Sequence, residues 1–167
     1  MTQDLEQLTS TYAHKGLLID TNILLLYYVG YVNRDRIVRF KRTRQFLPEE
    51  YDLLVDFIQS FATLVTTPNI LAEVSNFINQ LQEPERSQCY ALLAQSTETI
   101  QEFYVPSLEV VKQGWGFQKY GLTDCGLVTL AKDKYLVLTD DLKIASYLQN
   151  QRVDTVNFNH LRRLSWT

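Results

Sequence analysis

Cysteine and histidine are scarce. The 167-residue chain holds two of each, Cys89 and Cys125, His14 and His160, with no CxxC-type pair. That excludes a disulfide-stapled scaffold and makes a zinc site hard to assemble, because zinc draws on clustered thiolates and imidazoles. The two cysteines read as reduced thiols. Low-complexity segments, internal repeats and long linkers are absent. Long apolar runs are missing as well: the longest, 23–29 (ILLLYYV), falls far short of a membrane span. Asp4 and Glu6 interrupt the N-terminus before any apolar stretch forms, so no secretory leader is expected. The chain is predicted to be cytoplasmic, with no membrane partner. Phosphate-binding glycine loops are absent, which argues against a nucleotide cofactor.

What is present fits one ordinary globular domain over 1–167. The content of 46% hydrophobic and 21% charged residues supplies enough apolar surface for a core without cross-links. The net charge of −3 argues against a surface coated in basic residues, but the charge is lopsided. Segment 34–44 (RDRIVRFKRTR) sets Arg34, Arg36, Arg39, Lys41, Arg42 and Arg44 against Asp35, a local +5 that leaves −8 elsewhere. These six cations are candidates for holding a nucleic-acid backbone. They serve equally as a solvated helix face or a protein-contacting surface.

Apolar periodicity alternates between short runs and helical stripes. Residues 16–20 (GLLID) read as a buried parallel strand ending in an acid, followed by a helix on ILLLYYV. Pro48, Glu49 and Glu50 open a helix over 48–61. A strand at 63–66 (TLVT) leads to an N-cap at Thr67, with Pro68 first in a helix whose stripe is Ile70, Leu71, Val74, Phe77, Ile78 and Leu81. Further helices are expected over 84–101 and 122–132, and strands at 103–105, 135–139 (YLVLT) and 153–158. The stretch 107–120 begins as a helix and loosens at Gly114 and Gly116. Asp140 and Asp141 open a helix to about Asn150, and a short helix closes the chain. Such alternation predicts an α/β fold with helices on both faces of a parallel sheet.

In such sheets ligands bind beyond the carboxyl ends of the strands. Asp20, Asp141, Asp124 and Glu73 are all placed toward that end. Each alone has a plain structural role, as a helix N-cap, a charge on the dipole or a solvated helix residue. Together they would repel one another, a conflict that Mg²⁺ or Mn²⁺ removes through hard oxygen ligands.

The succession LLIDTN (17–22), PNILAEVSNF (68–77), GLTDCGLVTLAKD (121–133) and YLVLTDD (135–141) resembles the PIN-domain family of nucleases over roughly 16–158. The resemblance implies a three-layer α/β/α sandwich with strand order 3-2-1-4-5. It implies metal binding and catalysis by Asp20, Glu73, Asp124 and Asp141, with Asp140 as an uncertain neighbour. Asn22 and Thr139 match polar positions that orient ligands or waters. The implied activity is metal-dependent endoribonuclease cleavage leaving 5′-phosphate and 3′-hydroxyl ends. For toxin members it further implies a small antitoxin partner and a homodimer. The chain is longer than most prokaryotic toxin members, and the extra length falls at about 31–62. Trp115, Phe117 and Tyr120 beside Lys119 offer base stacking or, alternatively, a core-and-turn role. A phosphotransferase of the haloacid-dehalogenase type fits poorly, because Asn22 stands where it needs a second aspartate. A receiver domain fits poorly too, because the third strand ends at Val105 and Pro106. The stronger rival is a catalytically inactive PIN-like module that binds RNA or supports assembly.

Overall fold

The buried strand β1 (Leu17–Ile19) carries its chain straight into Asp20, whose side chain caps the next helix. The computed structural model describes residues 2–164; Met1 and 165–167 of the expected domain lie outside the described residues. Helix α1 (Thr2–Tyr12), which the sequence reading did not anticipate, precedes β1. Helix α2 (Thr21–Val32) starts where Asp20 accepts the Thr21 N–H at 2.7 Å and Leu24 N–H bonds the Asp20 carbonyl at 3.0 Å. It is apolar almost all round, so it is buried among other helices rather than laid on the surface. Ile23, Leu24, Leu25 and Leu26 are each at most 2% exposed, and truncating one to alanine would cost about 2–5 kcal/mol.

Asn33 ends α2, and segment 34–44 is not a helix face. It forms a 3-10 turn at Arg34–Arg36 and a chain of turns up to α3 (Pro48–Ile58). Strand β2 (Leu64–Thr66) leads through the Thr67 cap into α4 (Pro68–Ile78), where Thr67 Oγ1 accepts the Ile70 N–H at 3.2 Å. Helix α5 (Glu85–Ser96) stops five residues short of the expected 101. Strand β3 is Gln101–Glu102, not 103–105; its residues pair with Val65 and Thr66, and Phe103 adds one further bond to the Thr66 carbonyl at 3.0 Å. Both β3 residues are exposed, as a short edge strand allows, so the apolar run that followed them was a misleading guide.

Beyond α6 (Ser107–Val111), α7 (Trp115–Ala131) is kinked at Gly121. The breaks fall at Gly114 (φ 59°) and Gly121 (φ 81°), backbone conformations that glycine adopts without Cβ strain, while Gly116 is helical. The second limb of α7 therefore begins at Leu122, as expected. Strand β4 (Leu136–Thr139), helix α8 (Leu142–Asn150), strand β5 (Thr155–Asn157) and helix α9 (Phe158–Leu164) complete the chain.

All five strands run parallel in the order β3-β2-β1-β4-β5, with helices on both faces, a three-layer α/β/α sandwich. The order puts a topological switch between β1 and β4: one continues toward β2, the other toward β5. Helices leaving neighbouring strands on opposite faces open a crevice at that edge. One large apolar cluster forms the core, with a small satellite around Val110, Cys125 and Tyr147. Among the described residues no helix is long and apolar enough to cross a membrane.

Candidate functional site

Parallel strands deliver every C-terminal end to one edge, so the acids that follow them meet there. Asp20 follows β1, and Asp140 and Asp141 follow β4, on the two sides of the switch. Asp20 N–H bonds the Leu138 carbonyl at 3.0 Å, which stitches the crevice shut at its floor. Helix α4 brings Glu73 from the β2 side, and the second limb of α7 brings Asp124.

Three threonines set the geometry. Thr139 Oγ1 donates to Asp20 Oδ2 at 2.6 Å, and also accepts the Asp141 N–H at 3.1 Å. Thr21 Oγ1 donates to Glu73 Oε2 at 2.9 Å, and Thr123 Oγ1 to Glu73 Oε1 at 2.6 Å. Asn22 Nδ2 donates to Asp140 Oδ1 at 3.2 Å, and Asn159 Nδ2 to the Asp140 carbonyl at 2.6 Å. Asp141 is exposed and caps α8 through the N–H groups of Lys143 and Ile144, at 2.7 and 3.1 Å. Every donor to these carboxylates is neutral, and among the described residues none of the five acids forms an ion pair.

The electrostatics follow from that. Asp20, 6% exposed, is pushed up to about 6, chiefly by burial, with Asp140 and Glu73 adding repulsion against the opposing hydrogen bonds of Thr139 and Thr21. Asp124 rises to about 7, again mainly by burial, then by the charges of Asp20, Glu73 and Asp141. Asp140 is raised by burial and by Asp141, against the hydrogen bond of Asn22. The four predicted acids thus share one electrostatic site, with Asp140 inside it. Their donor set consists only of hard carboxylate and hydroxyl oxygens, which in chemical type fits Mg²⁺ or Mn²⁺ rather than a thiolate-seeking metal. As the side chains stand, no group of three or more histidine, cysteine, aspartate or glutamate residues among the described ones is set to hold an ion.

Asn22 and Thr139, expected to orient ligands, both touch the acids. Thr21 and Thr123 do so too, without having been singled out as candidates; each stands beside a site acid, Thr21 after Asp20 in LLIDTN and Thr123 before Asp124 in GLTDC. Asn159 carried no such signal.

The basic segment divides. Arg34 bonds Asp52 and the Pro48 carbonyl, Arg36 pairs with Glu85, and Arg42 lies 4.3 Å over the Phe77 ring and bonds Gln80. These three anchor the segment to α3, α5 and α4. Arg39, Lys41 and Arg44 are exposed and make no side-chain bond among the described residues. Of the aromatic candidates, Phe117 packs in the satellite core, whereas Trp115 is 64% exposed with the Lys119 ammonium over its ring. A groove of about 590 Å³, lined by Glu50, Leu142, Asn159, Arg162 and Arg163, borders the acids on the Asp140 side.

No protein-family model matches this chain, and no curated protein matches it either.

Proposed function

We propose that this protein is a metal-dependent endoribonuclease of the PIN type, hydrolysing RNA phosphodiester bonds at the carboxyl edge of its sheet. The observation that carries this reading is the group of acids at the switch point, held by neutral donors and, among the described residues, in no ion pair. Asp20, Glu73, Asp124 and Asp141 would hold Mg²⁺ or Mn²⁺, with Asp140 beside them. When bound, such an ion lowers the pKa of a water and offsets charge developing on the phosphate. The chain's own residues do the rest. Thr139 and Thr21 direct the oxygens of Asp20 and Glu73, and Thr123 holds the second Glu73 oxygen. The raised Asp20 and Asp124 carboxyls must release their protons before they can bind an ion. No histidine lies among these residues, so no imidazole serves as the base. Arg39, Lys41 and Arg44 would hold the RNA backbone away from the acids. A role as the toxin of a pair, with a small antitoxin covering the crevice, and a homodimeric state belong to the same proposal.

A second reading, an inactive RNA-binding or assembly module, is favoured by one observation: as they stand, the acids are not set to hold an ion. Incubation with total RNA in Mn²⁺, Mg²⁺ or EDTA, beside Asp20→Asn, separates the two. Metal-dependent cleavage lost in the variant supports the nuclease. No cleavage together with no calorimetric Mn²⁺ binding sinks it and leaves the module.

A further inference from the structure

Next to the acids, on the other side of Leu142, lies a second groove of about 410 Å³ that the carboxylates do not explain. Trp115, Lys119, Tyr120, Lys143 and Tyr147 line it with Leu142, and its charged residues are both lysines. Trp115 is 64% exposed, an unusual position for the largest side chain. The Lys119 ammonium sits 4.8 Å from the Trp115 ring centroid and 5.0 Å from that of Tyr120. Trp115 meets Tyr120 edge-on at 6.2 Å, and Tyr120 lies 4.6 Å from Tyr147 at 31°.

Tyr147, the innermost of the three rings, is held by side-chain bonds. Tyr147 Oη donates to Gln113 Oε1 at 3.0 Å, and Gln113 Nε2 donates to the Cys125 carbonyl at 2.6 Å and to Thr129 Oγ1 at 3.0 Å. Gly116 makes the approach possible, since a Cβ there would fall 1.9 Å from Tyr147 Oη. A braced aromatic surface flanked by ammonium groups is suited to stacking a base and holding the adjoining phosphate. Its position is equally specific: Leu142 lines both grooves and directly follows Asp141. A strand with one phosphodiester at the acids would pass Leu142 on its way toward Trp115.

We propose that Trp115, backed by Tyr120 and Lys119 and flanked by Lys143, is a stacking subsite for one nucleobase of the bound RNA, which fixes which phosphodiester faces the acids. This subsite rests on the ribonuclease reading. To test it, a short labelled RNA, and copies with one abasic nucleotide at successive positions, are bound to wild type and to Trp115→Ala in EDTA. Wild type should lose about tenfold in affinity at one abasic position, W115A should lose about tenfold for the intact RNA, and the two losses should not add. Trp115→Phe should keep most of the affinity, and the exposure of Trp115 leaves the core intact in both variants. Additive losses, or unchanged binding by W115A, overturn the subsite. Cleavage of the same RNA by wild type in Mn²⁺ distinguishes the failures: with cleavage intact only the subsite falls, and without cleavage or binding the nuclease reading falls with it.

Discussion

Two sets of buried acids in this molecule meet opposite fates. Glu50, 3% exposed, receives Arg162 Nε at 2.5 Å and reaches back to the Leu47 N–H at 2.8 Å. Glu85, 8% exposed, is gripped by Arg36 at 2.8 and 3.1 Å, and that bond holds its carboxyl below the ordinary range. Asp20, also buried, is raised instead: burial dominates, Asp140 and Glu73 add repulsion, and its hydroxyl and amide partners, which carry no charge, offset only part of it. Burial sets the cost of ionisation, and the charge of the partner decides whether that cost is met. The chain commits arginines to acids that brace the region between α2 and β2, and gives the acids at the sheet edge only neutral donors. Neutral donors aim the oxygens without cancelling their charge, which under the proposed nuclease reading leaves the charge for an external cation.

Asp20→Asn sharpens this contrast most. Under the nuclease reading, cleavage in Mn²⁺ should fall on the order of 10²–10³-fold, the scale for removing one group that stabilises transition-state charge. In EDTA the same variant should melt no lower than wild type, because a buried charge beside like charges has been removed. A lower melting temperature would break the comparison by making Asp20 a structural acid like Glu50.

Acidity separates the two sets next. Asp20 at about 6 and Asp124 at about 7 lie above their unfolded value of about 3.9, so their protonation favours the folded state. Melting in EDTA should therefore rise as pH falls from about 8 toward 5, by on the order of 5 °C. Glu85 works the other way: the stability from its lowered carboxyl is lost on further acidification, so the curve should turn over. Saturating Mn²⁺ should flatten the upper limb. A metal-free curve that falls steadily from pH 8 would contradict the raised acids.

Arg162→Ala tests the paired set directly. Leaving Glu50 buried without its cation should cost about 2 kcal/mol, read as a melting temperature about 4–8 °C lower, with the Glu50→Gln, Arg162→Ala double variant recovering part of it. Smallest of all is the effect of replacing Arg39, Lys41 and Arg44 with alanine. Stability should stay within about 0.5 kcal/mol of wild type, while RNA affinity weakens and its salt dependence shrinks by up to about one unit per lost contact. Unchanged salt dependence would move the RNA path off this segment.

Much of the fold was legible locally. The caps at Asp20, Thr67 and Asp141, and the Pro48 and Pro68 starts, are short-range chemistry that the residues themselves declare. β3 was misplaced because an exposed two-residue edge strand has neither an apolar run nor alternation. Gly114 and Gly121 both sit at breaks, but only their φ angles separate them from the helical Gly116. Segment 34–44 looked uniform in charge, and only the positions of Glu85, Asp52 and Phe77 show that half of it is structural.

By itself the sequence determined the alternation of strands and helices, the caps that start the helices, and the motif acids at strand ends, because these depend on neighbours within a few residues. Tertiary structure alone decided that Glu73 is held by Thr21 and Thr123, about fifty residues away on each side, that Arg36 belongs to Glu85, and that Trp115 stands open beside the acids. Such pairings depend on strand order and on which face each helix covers. Those are set by the sum of many weak contacts across the core, and no single local segment carries them.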